Sequence, residues 1–236
     1  RDSVASRGLG DVYKRQVRVL AGRLWIAHKD DSKRWLKRAV DEFDTALKYK
    51  SGHEPAIFWK GMAYLQNYDF SLAEAEFRTL VERKGEYAGK ADEMRALSKK
   101  IDRAQPGTPA GKKIALKPKI SRADMTVLFI EELNLTELFK RFMPPAASGG
   151  FQTPAQMMSQ GNAPLPGDVR GRWAEGWIEE AMKLGVVEAD PDGNFYPAES
   201  VTRAGYARSV ARILTMVTRD QTLETRYFGE NPSRFS

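Results

Sequence analysis

From Val17 to Ala104 the chain sets small and aromatic residues at helical spacing and then repeats the set 34 residues later. Ala39, Phe43 and Ala46 fall on one helical face, and Ala73, Phe77 and Leu80 fall on another at the same intervals. β-branched alternation is almost lacking here, and one proline, Pro55, separates two periodic segments. A sheet cannot use this pattern, because its period is two. The pattern requires antiparallel helical hairpins, in which alanines let two helices approach and a phenylalanine fills the space between hairpins. The fold class expected for the whole chain is all-α.

The 34-residue offset resembles the tetratricopeptide repeat. IFWKGMAYL places Gly61 and Tyr64 upstream of Ala73 and Phe77 at the intervals of that pattern. The earlier copy departs from it: Ala27 stands where Gly61 maps, and Asp30 replaces the tyrosine. A third helix, Tyr87 to Ala104, is rich in Lys, Glu and Arg and reads as a solvating cap. About two repeats are present, fewer than the three usually needed for an independent solenoid, so a minimal or truncated array is expected. The resemblance implies protein–protein contact with an unknown protein partner.

The first sixteen residues, RDSVASRGLGDVYKRQ, resemble read-through of sequencing-adapter DNA and are set aside as a non-native scar. Removing them lowers the formal net charge from +7 to +5. That is a mild lean toward anionic partners, without the concentrated basic face of a nucleic-acid binder, so no nucleic-acid partner is expected. Without cysteine, the chain has no disulfides and no thiolate metal sites. No apolar run approaches the ~20 residues of a membrane-spanning helix. Gln105–Lys119, QPGTPAGKKIALKPK, has little to bury and reads as a linker at 105–117.

Beyond it, ISRADMTVLFIEEL from Ile120 and VTRAGYARSVARIL from Val201 align residue by residue, with Arg122 on Arg203, Ser121 on Thr202 and Leu133 on Leu214. Ser121 and Thr202 are good N-caps, and Asp124 completes a capping box in the first copy. Gly205 takes the acidic place in the second, a loss of about 0.5–1 kcal/mol of helix stability. Before the second copy come GDV, a tryptophan-led amphipathic helix at Trp173–Leu184, a stop at Gly185, and the loop ADPDGNFYP. Asp190, Asp192 and Asn194 alternate as at the start of a calcium loop, but Gly193 is misplaced and no bidentate Glu follows. An Asp-Gly turn that returns Phe195 and Pro197 to the helices is the better reading, and no metal is expected.

The order of elements in 165–217 resembles one complete S-layer homology motif, preceded by a half motif at 118–135 and an irregular insert at 136–164. Within the insert a short helix is expected at Glu137–Arg141, followed by a mobile loop. The tail, 218–236, ends in NPSRFS and resembles the start of a further motif. The resemblance implies non-covalent anchoring to acidic, often pyruvylated, cell-wall glycan or peptidoglycan. It makes Arg122 and Arg203 carboxylate clamps, Trp173 an aromatic wall for sugar, and Asp168 a turn former or sugar acceptor. Each has an alternative: the arginines can pair with a neighbouring acidic loop, and Trp173 can pack as a core hinge.

Catalysis is not expected. His28 and His53 have no nucleophile or carboxylate constellation around them, and no phosphate- or dinucleotide-binding glycine motif is present. No cofactor is expected either. The resemblance thus implies an envelope protein, periplasmic or at the cell surface, with an upstream signal peptide expected. The alternative is an envelope scaffold whose two regions both bind proteins and no glycan.

Overall fold

A computed structural model describes residues 2–29, 34–142 and 165–218 together with 220 and 222; the side chains of residues 2–9 and 142 are not described. Ten α-helices occur among the described residues, which divide into two compact units at Gln105/Pro106. The fold is all-α. No helix among the described residues is long and apolar enough to cross a membrane.

The first unit holds α1 (Asp2–Ala27), α2 (Arg34–Tyr49), α3 (Glu54–Gln66), α4 (Phe70–Arg83) and α5 (Ala88–Ala104). α1 pairs with α2, α3 with α4, and α5 closes against α4. All six residues of the 34-residue pattern are buried, Phe43 and Phe77 completely. Each phenylalanine takes about 1.5–3 kcal/mol from leaving water. The reason they fit is a glycine on the facing helix. A methyl group at Gly22 would stand 2.5 Å from Phe43 Cε1, and one at Gly61 would stand 2.8 Å from Phe77 Cε1.

This corrects the register read from sequence. Gly22, not Ala27, is the counterpart of Gly61, and Trp25, not Asp30, is the counterpart of Tyr64. The first helices of the two hairpins are offset by 39 residues while the second helices keep 34, because the first hairpin has a connection three residues longer and a second helix that starts two residues further ahead of its phenylalanine. Lys60 ties the hairpins together, with its Nζ 2.9 Å from Asp44 Oδ1 and 3.2 Å from Glu76 Oε1. No break in α1 marks the boundary drawn at residue 16.

The second unit holds α6 (Pro109–Ala115), α7 (Arg122–Glu131), α8 (Leu135–Phe142), α9 (Glu175–Lys183) and α10 (Arg203–Thr218). The segment read as a linker is therefore partly helical and packed. Thr108 caps α6 by accepting from Gly111 N–H at 2.9 Å, with Pro109 in the first turn, and Ile114 is buried in the unit's core. Glu132 secures the start of α6 by accepting from the N–H groups of Gly107 and Thr108, both at 2.9 Å, and from Thr108 Oγ1. Partial burial opposes ionisation of Glu132, but these hydrogen bonds outweigh it and lower its pKa. A distant carboxylate supplied the order that the local composition lacked.

The core of this unit gathers Val127, Leu135, Phe139, Val169, Ile178, Val186 and Phe195. α8 covers and slightly exceeds the short helix expected at Glu137–Arg141; the loop expected to be mobile and the terminal NPSRFS lie outside the described residues. α9 starts at Glu175 rather than at Trp173, because residues 167–174 form successive turns with Gly171 at φ +70°. It stops at Gly185, also at φ +70°, where Gly185 N–H donates to Met182 O and Val186 N–H to Ala181 O. That paired pattern closes the helix end with the residue that tolerates a left-handed backbone.

Candidate functional site

α7 and α10 begin side by side. Ser121 and Ser200 form an antiparallel bridge, and Val201 N–H donates to Ile120 O at 3.0 Å. The two helix starts, equivalent in sequence, differ sharply in what their backbone donors meet. At α7, Arg122 N–H donates to Glu199 O at 2.8 Å and Ala123 N–H to Pro197 O at 3.0 Å. Ser121 Oγ and the Asp124 carboxylate form the reciprocal capping box expected from sequence. All the first-turn donors of α7 that face the loop are thus occupied within the unit. At α10, Thr202 Oγ1 accepts from Gly205 N–H at 3.0 Å, and the N–H groups of Arg203 and Ala204 have no partner among the described residues. Free donors and the helix dipole favour an anion there.

Asp124 is almost fully buried. Burial opposes its charge, yet hydrogen bonds from Lys117 Nζ at 2.6 Å and from Ser121 N–H and Oγ lower its pKa below the ordinary 3.8. The anionic form is therefore the structural one, and it anchors the residues before α7 to the helix start.

The start of α10 opens on a cleft of about 440 Å³ bounded by α7, the segment Val187–Pro191 and α10. Three guanidinium groups reach it. Arg122 Nη1 lies 2.6 Å from Asp190 Oδ2 and its Nη2 donates to Glu188 O at 3.3 Å, while its guanidinium covers the Phe195 ring at 4.8 Å. Arg212 pairs with Glu188 at 2.6 Å. Arg208 is exposed and has no carboxylate partner among the described residues.

The four residues assigned from sequence do not converge. Arg122 lines the cleft, but it holds the neighbouring acidic loop, the alternative weighed for it. As a free carboxylate clamp it is corrected. Arg203 is exposed and lies outside the cleft's lining. Asp168 uses its carboxylate as a staple: Oδ1 accepts from Phe195 N–H at 3.0 Å and Oδ2 from Tyr196 N–H at 2.6 Å. That fits a turn former and leaves little for a sugar. Trp173 is 56% exposed, so it is no core hinge; its ring lies 6.0 Å from that of Trp177 and 5.5 Å from Lys117 Nζ. It also lies outside the cleft's lining.

Sequence reasoning missed Arg208 and Arg212. Their signal was present, since Gly205, Arg208 and Arg212 recur at helical spacing behind the VTRA start.

The loop between α9 and α10 is a turn. Gly193, at φ +84°, donates to Asp190 O at 2.8 Å, and Phe195 and Pro197 are buried as the sequence required. Asp192 accepts from Tyr196 Oη and from Asn194 N–H at 3.0 Å, which lowers its pKa and raises that of the tyrosine. Asp190 and Asp192 are therefore engaged by protein donors. Among the described residues no group of three acidic or histidine side chains is placed to hold a metal ion.

No curated protein and no solved structure matches the chain. A family model does: residues 167–207, from the turn that carries Asp168 through the first turn of α10, match the S-layer homology domain.

Proposed function

We propose that this chain belongs to a cell-envelope protein whose second unit associates non-covalently with an acidic wall polymer, while its first unit, built of tetratricopeptide-like hairpins, contacts another protein. The family match supports wall association. The observation that carries an acidic ligand is the asymmetry of the two helix starts. Among the described residues the first backbone donors of α10, beside Arg203, have no partner, and Arg208, without a carboxylate partner among them, lines the adjacent cleft. A carboxylate-bearing saccharide would gain a charged fork and a helix N-terminus together. Binding without bond-making is the proposed action.

Sedimentation with purified cell wall tests this. The wild type is expected to pellet, and an Arg203→Ala, Arg208→Ala double variant to remain in solution. Equal pelleting of the two would sink the assignment of the acidic site. The scaffold reading, in which both units bind protein and neither binds glycan, draws on the closed state of α7, where Arg122 and the backbone donors are consumed internally. Failure of the wild type to pellet with wall of any treatment would favour it.

A further inference from the structure

The two ion pairs that line the cleft at the start of α10 are built differently. Arg122 is fixed from several sides: besides Asp190 it holds the carbonyl of Glu188 and covers the Phe195 ring, and Asp190 is itself set in the loop turn, where its N–H donates to Asn194 O at 2.7 Å. Arg212 and Glu188 make a single contact of 2.6 Å, in which the guanidinium is 17% exposed and the carboxylate 63%. The cation is the fixed member of this pair and the carboxylate the movable one. The Glu188 carboxylate can leave without disturbing the loop. Its backbone is held separately, by its carbonyl to Arg122 at 3.3 Å and by the burial of Val186 and Val187 just before it.

Arg208 and Arg212 stand four residues apart on one face of α10, about 6 Å along its axis, and both line the cleft. Arg208 has no carboxylate partner among the described residues, whereas Arg212 has Glu188. The helix thus offers two guanidinium groups one turn apart, and the chain's own carboxylate covers the second. A largely buried guanidinium is costly to leave without a counter-charge. A ligand carboxylate that replaces Glu188 never leaves Arg212 bare, and the exchange costs little. A neutral ligand has nothing to exchange.

We infer that Glu188 is an internal competitor for the ligand, an autoinhibitory carboxylate that holds Arg212 until an acidic polymer displaces it. The first anionic group of the polymer takes Arg208 and the start of α10, and the next one along the chain takes Arg212. Once the first group is bound, the second meets Arg212 at a high effective concentration, which lets it outcompete a carboxylate already tethered to the protein. An isolated carboxylate has no such second group and leaves Glu188 in place. The cleft therefore selects polymers with repeated anionic groups over single acids. This inference rests on the acidic-ligand reading of the second unit and concerns how that site is regulated.

Binding isotherms of the full chain on purified cell wall test it. Glu188→Gln is expected to lower the half-saturating wall concentration about fivefold, the factor that release of an exposed ion pair gives. Adding Arg212→Gln to it should cancel that gain. Glu199→Gln removes the same charge from the lining of the cleft without touching Arg212, and should change binding by less than about twofold. Trigalacturonate, with a carboxylate on every sugar, should release wall-bound chain at a lower total carboxylate concentration than galacturonate does. Circular dichroism melting checks that the variants remain folded. No gain in Glu188→Gln, an equal gain in Glu199→Gln, a gain that survives Arg212→Gln, or equal release by the two acids would overturn the inference. In each of these cases the Arg203→Ala, Arg208→Ala double variant still judges the acidic site separately, whereas loss of pelleting by the wild type and every variant overturns both.

Discussion

Replacing Asp168 with alanine should open the loop that positions the cleft, far beyond what an exposed turn residue would cost. The carboxylate accepts two backbone N–H groups, from Phe195 at 3.0 Å and Tyr196 at 2.6 Å. Hydrogen bonds to a charged group contribute about 1.5–3 kcal/mol each, and a buried N–H left without a partner costs about 1–3 kcal/mol. Tyr196 also sits at φ +54°, a left-handed conformation that a non-glycine residue keeps only when its surroundings impose it. Allowing for the partial solvent access of Asp168, the net loss is about 3 kcal/mol. At a slope of about 2 kcal/mol per molar, the urea midpoint of the second unit falls by about 1.5 M. Amide exchange at Phe195 and Tyr196 should accelerate more than at Val186, which lies outside the staple. A midpoint within about 0.3 M of wild type, with both amides still protected, would refute the staple and return Asp168 to the role of a free acceptor.

Gly61→Ala and Gly22→Ala should each lower stability by about 1–3 kcal/mol through overpacking against Phe77 and Phe43, read as a lower Tm of the first unit. Comparable loss at both sites checks the corrected register, whereas Ala27→Gly should act only through helix propensity. Because the fold lowers the pKa of Asp124, its stabilising effect is complete above the unfolded value near 3.8 and is lost as pH falls through the folded value. Urea titrations between pH 6 and 2 should therefore show a steeper acid loss for wild type than for Asp124→Asn. Glu132→Gln should raise amide exchange across α6 while leaving that of α9 unchanged, since Glu132 holds the residues that begin α6.

The local elements were legible because their causes are local. Ser121 and Asp124 lie three residues apart and form their box within one turn, Gly185 supplies the left-handed stop that ends α9, and Gly193 turns the loop. The paired spacing of Ala39, Phe43 and Ala46 with Ala73, Phe77 and Leu80 likewise forced two helical hairpins, since no other regular structure buries that pattern. Tertiary contacts settled what spacing left open. A longer connection between α1 and α2, with an earlier start of α2, shifted Gly22 into the place assigned to Ala27, and Glu132, distant in sequence, converted an apparent linker into α6. Arg122 and Arg203 are interchangeable in the sequence alignment, yet Asp190 and the carbonyls of Pro197 and Glu199 close one helix start and leave the other open. The starts of α7 and α10 could be read from Ser121 and Thr202, because capping is decided within a turn; which of those starts is free for a ligand depended on a loop folded back from 66 or more residues away, and only the packed chain brings it there.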